Sequence, residues 1–394
     1  MAVAELETST SKAARSGILR SRLQTLRLAL AAVEPAVPDR TPTQVLRNVL
    51  LKYGRVHATN NEMRISANSG IDYDMTALVP FKHLKSIAGM CRYEDTLTLQ
   101  HAGTHLGIKA SGGRWSIPTE AAETFPAPWD KAGQKPLARL PADQFHDLMK
   151  SVVIACAKDA GRYALNGVLI EFTDGVLSFV GTDGHRLCVA SCEIDQSLDN
   201  ASVLVPRKAV DAMLRISSLA GGERAVQLFA RPGCIEAWFI EEEDEDEDED
   251  ESNSGLGMIE FDALLLSGEF PKWRKALKEY TTQPSRTPAG TLLNAIEMCA
   301  VCSSETSRGI TMTVSGDSAT FRASSAECGK SESKCGLSAS GDEFSVMFDP
   351  RLATDWLAML DPSEPVRIFG ENQESQFTLE SINCRCSISP IIKE

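Results

Sequence analysis

The residues best placed for chemistry lie in Thr182-Asp183-Gly184-His185-Arg186-Leu187. Asp183 and His185 stand two apart on an extending chain, so both side chains point to one side. With Ser191 or Cys188 as nucleophile they would form the acid-base pair of a hydrolase. No phosphate loop, nucleophile elbow or metal cluster accompanies them. The competing reading makes His185 and Arg186 the polar rim of a binding site at the start of a strand. Cys299-Ala-Val-Cys302 has a metal-like spacing, but it sits in an apolar helical run with no second pair or nearby His. Cys188, Cys192 and Cys384-Arg-Cys386 fall on strand patterns and read as small core residues. The 11 cysteines of this long chain carry no export signal and form no disulfide framework. No cofactor or metal is expected.

The elements that must position this stretch are strands and turns. Val168 to Phe172 is an apolar run, Thr173-Asp174-Gly175 a hairpin turn, and Val176 to Val180 the return strand. Thr182-Asp183-Gly184 is a second turn, after which Leu187 to Ala190 begins a third strand. A helix over 141–156 precedes them, and Val205-Pro206-Arg207-Lys208 opens another, with Val210, Met213 and Leu214 inward.

This order occurs three times. An amphipathic helix over 18–33, strands between residues 45 and 78, a helix over 81–90 and strands over 96–117 precede it. A helix over 288–302, strands over 309–324, a helix opened by Asp349-Pro350 and strands over 366–391 follow. Val79-Pro80, Val205-Pro206 and Phe348-Asp349 precede corresponding helices at spacings of 126 and 143 residues. Thr59-Asn60, Thr182-Asp183 and Ser324-Ser325 mark corresponding turns at spacings of 123 and 142. The second interval is longer in both cases, and it contains the acidic run Glu241 to Glu251. The fold class expected is α+β: three similar domains, each with two helices packed on antiparallel sheets. The boundaries expected are 18–128, 137–280 with an acidic insertion at 241–254, and 285–394, after a floppy extension over 1–17.

At 394 residues the chain is long for a single core. No apolar run approaches the roughly 18 residues of a membrane helix, and the first 16 residues lack the apolar centre of a signal peptide. A cytoplasmic location is expected. The net charge of −14 is misleading, because the 11 acidic residues Glu241 to Glu251 account for all but three of those charges. The remainder is nearly balanced, so net charge excludes no class of partner. Such a run repels itself and is expected to be a disordered, solubilising insertion.

The threefold repeat, with Arg162-Tyr163-x-Leu165-Asn166-Gly167 and Thr182-Asp183-Gly184-His185-Arg186-Leu187, resembles the bacterial DNA polymerase III β subunit family, the sliding clamps. Val205-Pro206-Arg207-Lys208, Gly268-Glu269-Phe270-Pro271, Ser307-Arg308-Gly309 and Pro390 add to the likeness, which covers about residues 18–392. The resemblance implies a head-to-tail homodimeric ring with helices inside and sheets outside. It implies a non-catalytic processivity factor that encircles double-stranded DNA and tethers the replicative polymerase, the clamp loader and other proteins with clamp-binding motifs. A paralogue with a specialised partner set is the alternative.

Carried over residue by residue, the resemblance implies a peptide pocket. Its wall would be Leu165, Thr182, Gly184, His185, Arg186, Leu187, Pro271, Lys275, Ala276, Ile388, Ser389, Pro390 and Ile391. Lys275 stands where Arg is frequent and Ser389 where a larger apolar residue is usual, which implies an altered peptide preference. The implied DNA contacts are Arg40, Lys158, Arg162, Tyr163, Arg207 and Lys208. Arg20, Arg22, Arg27, Lys82, Lys85, Lys150 and Arg215 also lie on or beside helices that would face phosphates without reading sequence. The implied dimer contacts are Trp115 and Ile117 on one side and Val301 and Cys302 on the other.

Overall fold

The computed structural model describes residues 19–70, 76–92, 96–110, 112–157, 163–196, 198–220, 224–241, 257–303, 309–339 and 341–392. One element order, a strand, a helix, four strands, a helix and three strands, runs through the chain three times. The first pass is β1 (Leu19–Arg22), α1 (Leu23–Val33), β2 (Asn48–Lys52), β3 (Arg55–Thr59), β4 (Met63–Asn68), β5 (Ala77–Pro80), α2 (Phe81–Met90), β6 (Thr96–Ala102), β7 (His105–Ala110) and β8 (Gly113–Pro118). The second is β9 (Lys135–Pro141), α3 (Ala142–Val153), β10 (Gly167–Thr173), β11 (Val176–Thr182), β12 (Arg186–Glu193), β13 (Ala201–Pro206), α4 (Arg207–Ala220), β14 (Arg224–Arg231), β15 (Cys234–Glu241) and β16 (Ile259–Leu264). The third is β17 (Ser285–Pro288), α5 (Ala289–Ala300), β18 (Ile310–Ser315), β19 (Ser318–Ser325), β20 (Gly329–Gly336), β21 (Phe344–Phe348), α6 (Pro350–Leu357), β22 (Pro365–Phe369), β23 (Phe377–Glu380) and β24 (Cys384–Ile388).

Proline explains where the helices begin. Pro80, Pro141, Pro206 and Pro288 each end a strand immediately before a helix. All four of those strands lie at sheet edges, where a missing N–H leaves no ladder bond broken. Pro350 instead occupies the first turn of α6, and the Asp349 carboxylate accepts the Arg351 N–H at 3.1 Å as its cap.

The chain divides into two compact units, 1–143 with 212–264, and 144–211 with 265–394. The first holds a four-stranded sheet, β1-β6-β7-β8, and an eight-stranded one, β5-β2-β3-β4-β16-β15-β14-β9. The second holds an eight-stranded sheet, β13-β10-β11-β12-β24-β23-β22-β17, and a four-stranded one, β20-β19-β18-β21. All these ladders are antiparallel, and each eight-stranded sheet is two four-stranded halves joined edge to edge. β4 meets β16 with Ile65 opposite Phe261, and β12 meets β24 with Cys188 opposite Cys386. Helix faces cover the sheets: Leu23, Leu26 and Leu30 of α1 are buried in the first unit, and Phe145 and Met149 of α3 in the second. Each such side chain contributes roughly 1.5–3 kcal/mol of transfer free energy.

Several sequence-based boundaries shift. Residues 19–22 pair with β6 as strand instead of extending α1, with Leu19 opposite Leu99. Residues 44–47 form a short 3-10 turn before β2, so the strand expected from Val45 begins at Asn48. Strand β20 was not anticipated, because its inward residues Ser331, Ser333 and Cys335 are small and weakly apolar.

Candidate functional site

The turn at Thr182 to Leu187 is built by its own side chains. Asp183 Oδ1 accepts the backbone N–H of His185 at 2.8 Å and of Arg186 at 2.9 Å. Thr182 Oγ1 donates to the Arg186 carbonyl at 2.7 Å and accepts the Gly184 N–H at 3.1 Å. Gly184 has φ +89°, which glycine adopts without penalty. The same device recurs at Thr59 to Met63. Asn60 Oδ1 takes the N–H groups of Glu62 and Met63, Thr59 Oγ1 donates to the Met63 carbonyl, and Asn61 has φ +72°. In the third pass Ser325 Oγ takes the N–H groups of Glu327 and Cys328. Asp183 therefore serves as a turn scaffold, as Asn60 and Ser325 do in their places.

The hydrolase alternative loses its parts. The Asp183 carboxylate is spent on the turn and on Arg186, 3.2 Å away. Cys188 is fully buried, and burial first, then its Cys386 neighbour, push its thiol well above the ordinary range. Ser191 Oγ lies 3.0 Å from Ser178 Oγ. Among the described residues no group of three or more His, Cys, Asp or Glu could hold a metal ion.

Arg186 corrects the expectation for the pocket rim. Neighbouring strand residues point to opposite faces, so Arg186 and Leu187 diverge. The Arg186 side chain is buried and donates to the carbonyls of Ile154 at 2.5 Å and Leu352 at 3.0 Å, and to Asp355 Oδ2 at 3.2 Å. It ties the end of α3 to α6 and forms no rim.

Arg207 is also spent internally. It donates to the Val153 and Cys156 carbonyls at 3.1 and 3.2 Å, so two guanidinium groups cap the C-terminal end of α3. Arg27 does the same in the first unit, donating to the Ala88, Gly89 and Cys91 carbonyls after α2.

Leu187 faces the other way, into an apolar cluster with Leu169, Val180, Val189, Leu204, Phe270 and Trp273, flanked by Ala164, Leu266 and Leu277. Pro271 and Lys275 line a cavity of about 570 Å³ beside it, over Leu169, Leu204, Phe270 and Trp273. The Trp273 indole N–H reaches Glu171 at 3.3 Å, and Arg274 stacks on its ring at 4.2 Å while pairing with the same carboxylate. Phe270, Trp273 and Leu277 were missed from the sequence. The signal was present: an aromatic two residues beyond Pro271, in a string already singled out.

The register of β12 and β24 brings the remaining residues together. Arg186 lies opposite Ile388, and the Ser389 N–H donates to the His185 carbonyl at 2.9 Å. Gly184, His185 and Ser389 are exposed there, and Pro390 and Ile391 are half-buried. Ile388 is fully buried, and Thr182 is buried with its hydroxyl engaged in the turn. The Ala276 carbonyl takes the Gln376 side chain at 2.8 Å, one residue before Phe377, which pairs with Ile388. Leu165 is half-buried next to Ala164 of the cluster.

Of the expected DNA contacts, Arg40 and Lys208 are exposed. Lys158, Arg162 and the Tyr163 side chain lie outside the described residues, as do the side chains of Arg20 and Arg22, Ser307-Arg308, residues 1–18 and nearly all of the acidic run. Lys85 and Arg215 both pair with Glu34, and Lys82 with Asp39 at 3.3 Å. Burial raises the Glu34 pKa, but donation from Lys85 and Arg215 outweighs it and holds the carboxyl below its ordinary range. Of the expected dimer contacts, Val301 is 76% exposed at the end of α5, Cys302 and Trp115 are half-buried, and Ile117 is buried on the inner face of β8.

The family profile of the DNA polymerase III beta subunit, central domain, matches residues 139–272. A beta sliding clamp of Proteus mirabilis is 26% identical over 361 residues, covering 90% of this chain and 93% of its own. That of Salmonella typhimurium is 28% identical over 284 residues, 72% of each chain. The crystal structure of the DNA polymerase III subunit beta from Pseudomonas aeruginosa superposes with a TM-score of 0.82 at 22% identity, covering 95% of this chain and 99% of that one. A DNA polymerase sliding clamp from Bacillus subtilis gives 0.81 at 16%, covering 96% and 100%. Whole-length likeness, a matched central domain and a threefold element order agree: the chain belongs to the family of the bacterial DNA polymerase III beta subunit, the beta sliding clamps.

Proposed function

We propose that the chain is a DNA sliding clamp, a processivity factor that encircles duplex DNA and holds a replicative polymerase on it. The observation that carries this reading is the arrangement of its sheets. Two are joined from half-sheets, and two remain as half-sheets with open edges at β8 and β20. A second copy meeting both edges head to tail would close a ring of six like sheets. The three passes then act as three domains, 18–128, 137–280 and 285–394. In this reading the protein works in the cytoplasm as a non-catalytic subunit.

Partner motifs dock on the exposed rim of His185, Ser389, Pro390 and Ile391 and in the apolar cleft of Leu187, Phe270, Pro271, Trp273 and Lys275. Apolar anchors bury area there at about 25 cal/mol per Å². Arg40 and Lys208 contribute sequence-independent attraction to phosphates.

The test is primer extension on a long single-stranded circle with the cognate polymerase, clamp loader and ATP. Added clamp lengthens the products of single binding events, and unchanged product length overturns the reading.

A further inference from the structure

The two internal joints fix which residues should face each other where the open edges meet. In each half-sheet, the joining strand lies at the end opposite the strand that leads into a helix. β4, β12, β16 and β24 all occupy that place, and so do β20 and β8 in the two half-sheets left over. The ladders let the rows be matched. Crossing from the helix-leading strand, Leu228–Ala237–Phe261 and Ile368–Leu379–Cys386 correspond to Leu99–Ile108–Trp115. On the other side, Leu50–His57–Ser66 and Leu169–Val180–Val189 correspond to Thr311–Arg322–Glu332. Because Phe261 faces Ile65 and Cys386 faces Cys188, Trp115 belongs opposite Ser331.

Two independent features agree with that match. The faces agree: Trp115 shares the buried face with Ile108, while Ser331 and Ser333 donate to the Cys299 and Ala295 carbonyls of α5. A shift of one residue would set buried faces against outer ones. The covering helices agree as well. At the β12–β24 joint, Ser151 of α3 is buried and hydrogen-bonded to Cys384. Its counterpart, ten residues after the leading proline of α5, is Met298, which is 60% exposed. The counterpart of Cys384 is Gly113, and the Trp115 ring lies over Gly113 where a Cβ would collide with it.

We propose that β8 pairs antiparallel with β20 of a second copy in this one register: Ile117 opposite Gly329, Trp115 opposite Ser331, Arg114 opposite Glu332 and Ser116 opposite Lys330. Met298 of one copy then packs on the Trp115 ring of the other, a favourable sulfur–aromatic contact. On the outer face Arg114 meets Glu332, whose carboxylate is already 2.6 Å from Arg322, so the acid sits between two guanidinium groups. The inference rests on the clamp reading and adds the pairing that selects the partner edge.

The experiment is a cross-link in the full chain, in a Cys328→Ser background because Cys328 is exposed. Ser116→Cys with Lys330→Cys places the thiols on a hydrogen-bonded pair with Cα atoms about 5.5 Å apart, within disulfide range. Oxidised glutathione should convert most of the chain to a covalent dimer that dithiothreitol reverses. The pairs shifted by two, Ser116→Cys with Glu332→Cys and Arg114→Cys with Lys330→Cys, should cross-link little. Light scattering accompanies each variant. A dimer that cross-links equally in the shifted pairs, or not at all at Ser116 and Lys330, overturns the register and leaves the ring. A monomer overturns both. Arg114→Glu should weaken the dimer about tenfold or more, and adding Glu332→Arg should restore it. No rescue counts against the register.

Discussion

Replacing Arg186 with Met separates two roles that the sequence alone assigns to one residue. Met keeps most of the side-chain length and removes the charge. The guanidinium is buried and holds two carbonyls, Ile154 and Leu352, and two carboxylates, Asp183 and Asp355. Hydrogen bonds from a charged donor contribute roughly 1.5–3 kcal/mol each when their partners are buried. Asp355 is half exposed, so its share is largely screened. The carbonyl bonds and Asp183 remain, and the net loss is about 3 kcal/mol. Urea unfolding of Arg186→Met should show that loss, while a clamp-motif peptide titrated into the folded variant binds within a few-fold of wild type. Undiminished stability with abolished peptide binding would refute the assignment and make Arg186 a rim residue.

Other expectations follow from the same geometry. Arg207→Ala removes a cap from α3 and should cost about 1–2 kcal/mol in urea unfolding. Lys208→Ala should stay within about 0.5 kcal/mol and lower the salt dependence of DNA binding by about one ion. Gly181→Ala directs a Cβ into the Val152 carbonyl and should cost about 1–3 kcal/mol by pushing β11 off α3, read as a lower midpoint in thermal melting. His57 titrates at about 4, held down by burial first and then by Arg64 and Arg55. The unfolded chain therefore binds the extra proton between pH 6.5 and 4, and stability is full above that window and falls as the pH drops through it. His57→Gln should flatten stability against pH between 6.5 and 4, and an unchanged slope would refute the shift.

Much of the fold was legible because the breakers are strong and repeated. Proline at strand-helix junctions and the Thr-Asx turns at residues 59 and 182 marked corresponding points at spacings the structure keeps. What failed has physical causes. The charge on Arg186 suggested a surface residue, but the pleat turns it inward beside an outward-facing Leu187 surface. Basic residues beside helices suggested phosphate contacts. Carbonyls at helix ends and Glu34 are nearer competitors for Arg27, Arg207, Lys85 and Arg215. Strand β20 was hidden because it buries serines, satisfied by α5 carbonyls, in place of branched apolar residues.

The central claim is topological: two copies close around DNA and stay by enclosure. The direct measurement is the lifetime of loaded clamp on a closed plasmid circle, compared with the same plasmid cut once after loading. Enclosure predicts long retention on the circle and rapid loss through the new ends. Equal lifetimes on the two forms would contradict it.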